Sequence, residues 1–373
     1  METKKISLPF ICKEPILAVG PQSKNTLCFI KGKHAYFSPL HSDLNDPGDF
    51  SYFKSDLGFF LKKKPKIIAC DLHQGYQSTL QAMEHLASTH KIITVQHHHS
   101  HIAACMAEAG MKNQKVIGIA FDGTGLGDDQ ALWGGEFLIC DYGNYIRAAH
   151  LKEIPLLGGS QAIKEPWRLA VAWLYQIYKD RFLELNNDFL RGVNKKDWRI
   201  LKKMYSLGFN APLSSSMGRL FDAIASLILK KYKAVSEGSL AVELERKALC
   251  YKGKVKGFVF SICKTKRGYI IDPVPVFKDI VKGLSDKEEP QRLALRFHLG
   301  VAQAIKSLAL LLRKETLINK VVLSGGVFQN RLLLKESKEL LYKEGFTVLL
   351  HNKLSCNDSS ISLGQASIAS FRR

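Results

Sequence analysis

Two stretches of this chain share one pattern, and that pattern limits the folds open to it. An apolar strand, Ile16 to Val19, runs into a Gly20-Pro21 turn and returns as a second strand, Thr26 to Ile30. Further along, Val116 to Phe121 is followed by the turn Gly123-Thr124-Gly125 and a returning strand, Leu132 to Ile139. Each stretch predicts a β-hairpin. No literal repeat accompanies them, but two like hairpins predict an internally duplicated fold. Short apolar runs (Lys66 to Ala69, Lys91 to Val95, Lys320 to Leu323) alternate with segments of helical spacing (Asp49 to Lys62, Ser78 to Thr89, Leu293 to Lys314). Phe258 to Ile262 and Tyr269 to Ile271 predict a further strand pair, and Glu165 to Leu249 is largely helical. Strands alternating with helices make an α/β protein.

Size and composition set the outer bounds. The 373 residues suffice for two lobes, and 46% hydrophobic with 24% charged residues is the balance of a globular chain. No apolar run approaches the length of about 20 residues that a membrane helix needs, so no membrane association is expected. Eight cysteines include no C-x-x-C pair, which leaves zinc fingers and thioredoxin-type motifs without support. Ile139-Cys140 and Ile262-Cys263 look like reduced core positions of a cytosolic protein. Pro9 and Pro15 fragment the first twenty residues too much for a signal peptide, so a cytoplasmic location is expected. The net charge of +20 is spread along the chain without interleaved aromatics. Solvated helix faces explain it better than a nucleic-acid surface, and a nucleic-acid partner is not expected.

Five segments carry chemistry. In Gln96-His97-His98-His99-Ser100-His101, a helix starting here puts His97 and His101 on one face. That is ligand spacing for a divalent metal completed by carboxylates from elsewhere, and it equally suits packed histidines. His98 and His99 lie off that face; an orienting or substrate-facing role and plain packing both remain open. Phe121-Asp122-Gly123-Thr124-Gly125-Leu126-Gly127 follows a strand but fails the dinucleotide fingerprint. It fits a hairpin loop approaching a phosphate, with Asp122 available to a metal or its water. Ser324-Gly325-Gly326 ends a strand before a helix start, where close backbone approach favours an anion or simply a tight turn. Ser216-Met217-Gly218-Arg219-Leu220-Phe221-Asp222 offers a glycine for a ribose and a carboxylate for its hydroxyls. Asn357-Asp358-Ser359-Ser360 offers a ligand or a cap before the last helix.

Taken together, these segments resemble the C-terminal, carbamoyl-transferring part of the HypF family of [NiFe]-hydrogenase maturation carbamoyltransferases. The matching stretches are PILAVG…KNT, CDLHQGYQST, VQHHHSHIAACMAE, IAFDGTGLGDDQALWGGEF, KEPWRLA, SSMGRLFDA, LSGGVFQNRLL and NDSSISLGQA, in family order along nearly the whole chain. The chain is more distantly similar to the TsaD-type transferases of tRNA threonylcarbamoyl-adenosine. The resemblance implies a duplicated, two-lobed actin-like fold (ASKHA, RNase H-like) with a helical insertion at about 160–250. The expected lobes are 1–145, with the metal-binding helix, and 146–373, whose last helix packs back on the first.

The resemblance also implies roles. His97, His101 and Asp358 match metal ligands, with Asp122 as the additional carboxylate; Asp122 and His98 are the candidate catalytic groups. Gly325, Gly326 and Asn330 match a nucleotide-binding turn, Gly218 and Asp222 a ribose-binding stretch, and Gly123 and Thr124 the loop beside it. Lys24, Asn25 and Thr26 lie where the first hairpin approaches phosphate. The implied cofactors are one divalent metal (iron or zinc) and ATP, AMP or carbamoyl-adenylate, with magnesium a candidate further ion. The implied reaction moves the carbamoyl group of carbamoyl-adenylate to the C-terminal cysteine of a HypE-type acceptor, a precursor of the hydrogenase cyanide ligands. The family's acylphosphatase-like, zinc-finger and adenylate-forming parts have no counterpart here, so a separate carbamoyl-adenylate-forming domain or subunit is the expected second partner. Two other readings stand beside it: tRNA threonylcarbamoyl transfer, and a non-catalytic nucleotide-binding scaffold. The family commonly has two glycines where this chain has Ser359-Ser360, which puts the adjacent backbone contacts in question.

Overall fold

A computed structural model describes residues 4–372; residues 1–3 and 373, the outer ends of the two expected lobes, lie outside the described residues. One sheet is built from β1 (Lys5–Ala18), β2 (Cys28–Phe37), β3 (Ile67–Asp71) and β4 (Lys91–Val95), in the order β2-β1-β3-β4. β2 is antiparallel to β1, β3 is parallel to β1, and β4 is parallel to β3. The second sheet repeats this plan with β5 (Val116–Leu126), β6 (Leu132–Cys140), β7 (Tyr145–Leu151), β8 (Ser261–Thr265), β9 (Gly268–Asp272), β10 (Lys320–Ser324) and β11 (Thr347–Leu349). Its order is β8-β9-β7-β6-β5-β10-β11, with β5, β6 and β7 a meander and β10 and β11 parallel to β5. A hairpin followed by two parallel strands therefore occurs twice, which is the duplicated α/β architecture expected from the hairpins.

Parallel strands need crossovers, and helices supply them. α1 (Pro47–Leu61) precedes β3, capped by the Asp46 carboxylate on the amides of Gly48 and Asp49. α2 (His97–Glu108) leaves β4 directly. The insertion after β7 carries α3 (Trp167–Tyr178), α4 (Lys195–Leu207), α5 (Met217–Leu229) and α6 (Ser239–Cys250). α7 (Val274–Ser285) leads to α8 (Pro290–Thr316), whose length and apolarity would suit a membrane span. Here α8 is a core helix, with Leu293, Phe297, Val301, Ile305 and Leu308 in the large apolar cluster of the second lobe. α9 (Arg331–Lys343) joins β10 to β11, and α10 (Ile361–Phe371) ends the chain.

Three expectations need correction. β5 and β6 pair with β7 and β10, so the second sheet begins at Val116 and a division at 145/146 would cut through it. β1 starts at Lys5, well before Ile16, and pairs with β2 from there through two irregular gaps, between Ser7 and Cys12 and between Cys12 and Ile16. Pro9 and Pro15 fall in those two gaps, where no ladder hydrogen bond is demanded of them. Cys263 is exposed on the edge strand β8 and is not a core residue, whereas Cys140 is buried.

α10 lies against the first sheet and α2, sharing one core cluster through Leu363, Ala366, Ile368 and Ala369 with Ile16, Ala18, Ile102 and Cys105. The two helices touch at Gly364, where an added Cβ would stand 1.9 Å from the Ser100 carbonyl oxygen. No side-chain movement relieves a clash with backbone. Gly364→Val is therefore expected to lose at least about 2 kcal/mol of stability, read as a lowered denaturation midpoint, whereas a loss within about 0.5 kcal/mol, as at an ordinary surface position, would show that this crossing is not close-packed.

Candidate metal centre

α2 begins where β4 ends. Gln96 caps it, its side-chain oxygen accepting the His99 amide at 2.9 Å, and the first turns bring His97 and His101 onto one face. Both rings are fully buried. His97 Nδ1 donates to Asp71 Oδ2 at 2.9 Å, and the other oxygen of Asp71 accepts the His73 amide at 3.0 Å. With its hydrogen held on Nδ1, His97 presents the Nε2 lone pair to the site, the usual way an outer carboxylate sets a ligand's tautomer. That Nε2 lies 3.4 Å from Asp122 Oδ2 and 3.8 Å from Asp358 Oδ1. His101 Nε2 lies 3.4 and 3.5 Å from the same two oxygens.

Among the described residues neither Nε2 has a hydrogen-bond partner, although both are sealed from solvent. One atom from each of His97, His101, Asp122 and Asp358 falls within 4.8 Å of all the others. Two imidazoles and two carboxylates are a donor set for a divalent transition metal, and the unpartnered buried nitrogens fit such an ion. Burial opposes charge on all the inner groups, yet mutual attraction wins. The nearby carboxylates of Asp122 and Asp71 hold the His97 imidazole well above its ordinary range, and Asp122 and Asp358 raise His101. The same two histidines hold Asp122 well below the usual carboxylate range. The pocket attracts positive charge.

The ligands are placed by backbone that tolerates little bulk. Asp122 Oδ1 accepts the Gly326 amide at 2.9 Å, which turns Oδ2 toward the histidines. At Gly325, with φ of 100°, an added Cβ would meet the Phe121 carbonyl oxygen at 2.2 Å. The paired glycines thus seat the end of β10 against β5, and Gly326 aims a ligand. At Gly125 an added Cβ would come within 2.8 Å of both the His97 and His98 rings. Around Asp358, the Asn357 side chain accepts the Ser359 amide at 3.1 Å, and Thr26 Oγ1 donates to the Ser359 carbonyl at 2.9 Å. Neither Ser359 nor Ser360 has positive φ, so serines in place of two glycines cost no backbone strain.

The remaining sequence-singled residues divide. Gly218, Gly123 and Asp222 come together: Gly218 packs on the backbone of Gly123, where a Cβ would stand 3.0 Å away, with Thr124 half-buried alongside. Asp222 Oδ2 has no hydrogen-bond partner, and burial pushes its pKa up to about 6 although Arg219 Nη2 stands 3.1 Å away. Other residues have internal partners. Asn25 is fully buried, donating to the carbonyls of Val19 and Pro21 and meeting His41 Nδ1 at 3.0 Å. Asn330 caps α9 at the Leu333 amide and donates to His298 Nε2 at 2.9 Å. Of the three hairpin residues only Lys24 is exposed. His98 is buried, and burial next to His97 lowers its pKa well below the ordinary value; His99 donates to the Asp141 carbonyl and is held to about 4. Sequence reasoning assigned no role to Asp71 or Arg219, though both lie in motifs it quoted; an acid at the end of a buried strand was the available signal for Asp71.

Comparison with known proteins matches this geometry to one family. Residues 12–108 match the family model described as HypF Kae1-like domain, and residues 118–365 the one described as carbamoyltransferase, Kae1-like domain, second subdomain. The chain is 35% identical to carbamoyltransferase HypF of Synechocystis sp., covering 96% of this chain and 48% of the relative. It is 34% identical to a Cupriavidus necator carbamoyltransferase HypF homolog, covering 95% of this chain and 91% of the relative. The full-length HypF crystal structure in its phosphate- and nucleotide-bound form superposes with a TM-score of 0.89 at 40% identity, over 98% of this chain and 57% of that one. HypF of T. kodakarensis superposes with a TM-score of 0.87 at 29% identity, over 98% and 49%. The chain thus spans about half the length of the first of these relatives.

Two variants test the centre directly. Zn2+ titration of the purified chain is expected to show one site that the double replacement His97→Ala, His101→Ala abolishes, and that Asp71→Ala weakens about 10- to 100-fold. Unchanged affinity in Asp71→Ala would mean that its bond does not set the ligand's orientation.

Proposed function

Because this chain belongs to the HypF carbamoyltransferase family, of which it corresponds to the Kae1-like part, we propose that it transfers the carbamoyl group of carbamoyl-adenylate to a C-terminal cysteine of a HypE-type acceptor in the cytoplasm. The observation that carries this reading is the buried pair of unpartnered imidazole nitrogens facing Asp122 and Asp358. A divalent metal held by His97, His101, Asp122 and Asp358 supplies, when bound, Lewis-acid polarisation of a carbonyl or phosphoryl oxygen.

The chain's own residues do the rest. Asp222, whose Oδ2 faces Arg219 Nη2 at 3.1 Å, accepts from the ribose hydroxyls beside Gly218, Gly123 and Thr124. Gly325 and Gly326 form the wall of the nucleotide site while holding Asp122 in place, and Asn330 fixes the helix start behind them. Lys24, exposed on the first hairpin, meets phosphate charge. His98 acts as a neutral donor. Gln96 Nε2 donates to its Nδ1 at 3.1 Å, so the hydrogen stands on Nε2, which has no partner. Such a fixed donor stabilises oxygen charge that develops in the transition state. In the transfer, the acceptor thiol gives its proton to solvent and its sulfur bonds to the carbamoyl carbon. The bond from that carbon to the adenylate phosphate oxygen breaks, and AMP leaves. Carbamoyl-adenylate comes from a separate domain or subunit, in keeping with relatives about twice as long.

The test supplies labelled carbamoyl-adenylate, or an adenylate-forming domain with carbamoyl phosphate and ATP, and in parallel labelled threonylcarbamoyl-adenylate, to two acceptors: a HypE-type protein and tRNA. Label is expected on the protein cysteine, and His101→Ala or Asp122→Ala should each reduce the rate at least about a hundredfold, with folding checked by circular dichroism. Threonylcarbamoyl transfer to tRNA with none to the protein would overturn the reading in favour of a TsaD-type activity, and transfer to neither in favour of a scaffold.

A further inference from the structure

Glu108 closes α2 at the end opposite the histidine ligands. Its side chain is 2% exposed, and every oxygen is engaged. Oε1 accepts the amides of Asn352 at 2.8 Å and Leu354 at 3.1 Å, and that of Lys353 between them. Oε2 accepts His351 Nδ1–H at 2.5 Å. The other ring nitrogen of His351 meets Ser324 Oγ at 3.1 Å, at the end of β10. One carboxylate therefore grips three successive amides of the segment leading to Asp358. Through His351 it also reaches the strand whose next residues, Gly325 and Gly326, hold Asp122. Burial opposes charge on Glu108, but His351 and the amides prevail and bring its pKa down to about 2, so it is a carboxylate at any working pH.

The consequence lies in the geometry of α2. One helix carries His97 and His101 in its first turns and clamps, at its last residue, the segment that delivers Asp358. We propose that Glu108 and His351 are positioning residues of the metal centre, setting the distance of Asp358 from the two histidines. This rests on the metal reading above. The pair touches neither ligand nor substrate; it acts through the loop.

Zn2+ affinity of the full chain, measured by chelator competition, tests it as a double-mutant cycle. Glu108→Ala is expected to weaken binding about 10- to 100-fold, and Glu108→Gln, which keeps an acceptor for the amides, to restore most of that loss. On an Asp358→Ala background, Glu108→Ala should cost nothing further, and the Co2+-loaded visible spectrum of Glu108→Ala should move toward that of Asp358→Ala. Should Glu108→Ala not fold, Glu108→Asp, which withdraws the carboxylate by one methylene, takes its place in the cycle. Additive losses, or wild-type affinity in the Glu108 variants despite lowered thermal stability, would reduce the pair to a stabilising contact and overturn the proposal. Absence of Zn2+ binding by the unmodified chain would instead overturn the metal reading, and this proposal with it.

Discussion

The close approach of α2 to α10 at Gly364 fixes where the two lobes meet, and the centre exists only because of it. Any larger residue would drive the helices apart, since the opposing surface is the Ser100 carbonyl and not a movable side chain. A similar demand comes from β5, where Gly118 accepts Ile102 and Gly125 accepts the rings of His97 and His98. α2 is consequently wedged between the last helix and the second sheet with almost no lateral freedom. Close-packed interiors transmit position faithfully. That is how two histidines from one lobe and two carboxylates from the other come within ligand distance.

Packing this tight has an electrostatic consequence. Two carboxylates and two imidazoles sit at an apolar seam, where isolated charges are strongly disfavoured and every polar atom normally finds a partner. Asp71 is fully satisfied by His97 and the His73 amide, and Asp122 by the Gly326 amide on one oxygen. The Nε2 atoms of His97 and His101 are left without partners there, within 3.8 Å of Asp122 Oδ2 and Asp358 Oδ1. The hydrogen bonds of Asp71 and Gly326 orient His97 and Asp122 so that these atoms face one another.

Much of this was legible in the sequence, and what was missed has physical reasons. The helical four-residue spacing put His97 and His101 together without any tertiary knowledge, and the two hairpins announced the duplication. Asp71 offered only a weak signal, an acid ending a buried strand, and Glu108 none, because their partners, His97 and residues 351–354, are set by sheet pairing and chain return. The glycines are ambiguous in a particular way. Gly218 and Gly325 offer room for a ligand on sequence grounds, and the nearest atoms to a Cβ there belong to Gly123 and Phe121 of the same chain. A glycine reports that something comes close, and sequence alone does not say whether it is substrate or backbone. Asn25 and Asn330 show the same ambiguity for amides, whose hydrogen-bonding capacity went to a turn and a helix cap.

The duplication also explains why bracing and ligation look alike. In each lobe a histidine follows just after the last parallel strand, His97 after β4 and His351 after β11, and each bonds to the side chain ending the strand beside it, Asp71 in one case and Ser324 in the other. The difference is the chemistry at those strand ends. A buried carboxylate fixes the His97 tautomer and adds negative charge, which favours a cation at the free nitrogen. A hydroxyl adds none, and His351 turns its other nitrogen to Glu108 on the helix of the first lobe. One copy of the plan therefore faces inward and offers a lone pair, while the other ties the lobes together. Like positions in the two halves of the fold thus hold a candidate ligand in one case and, in the other, a strut that keeps its neighbours in range.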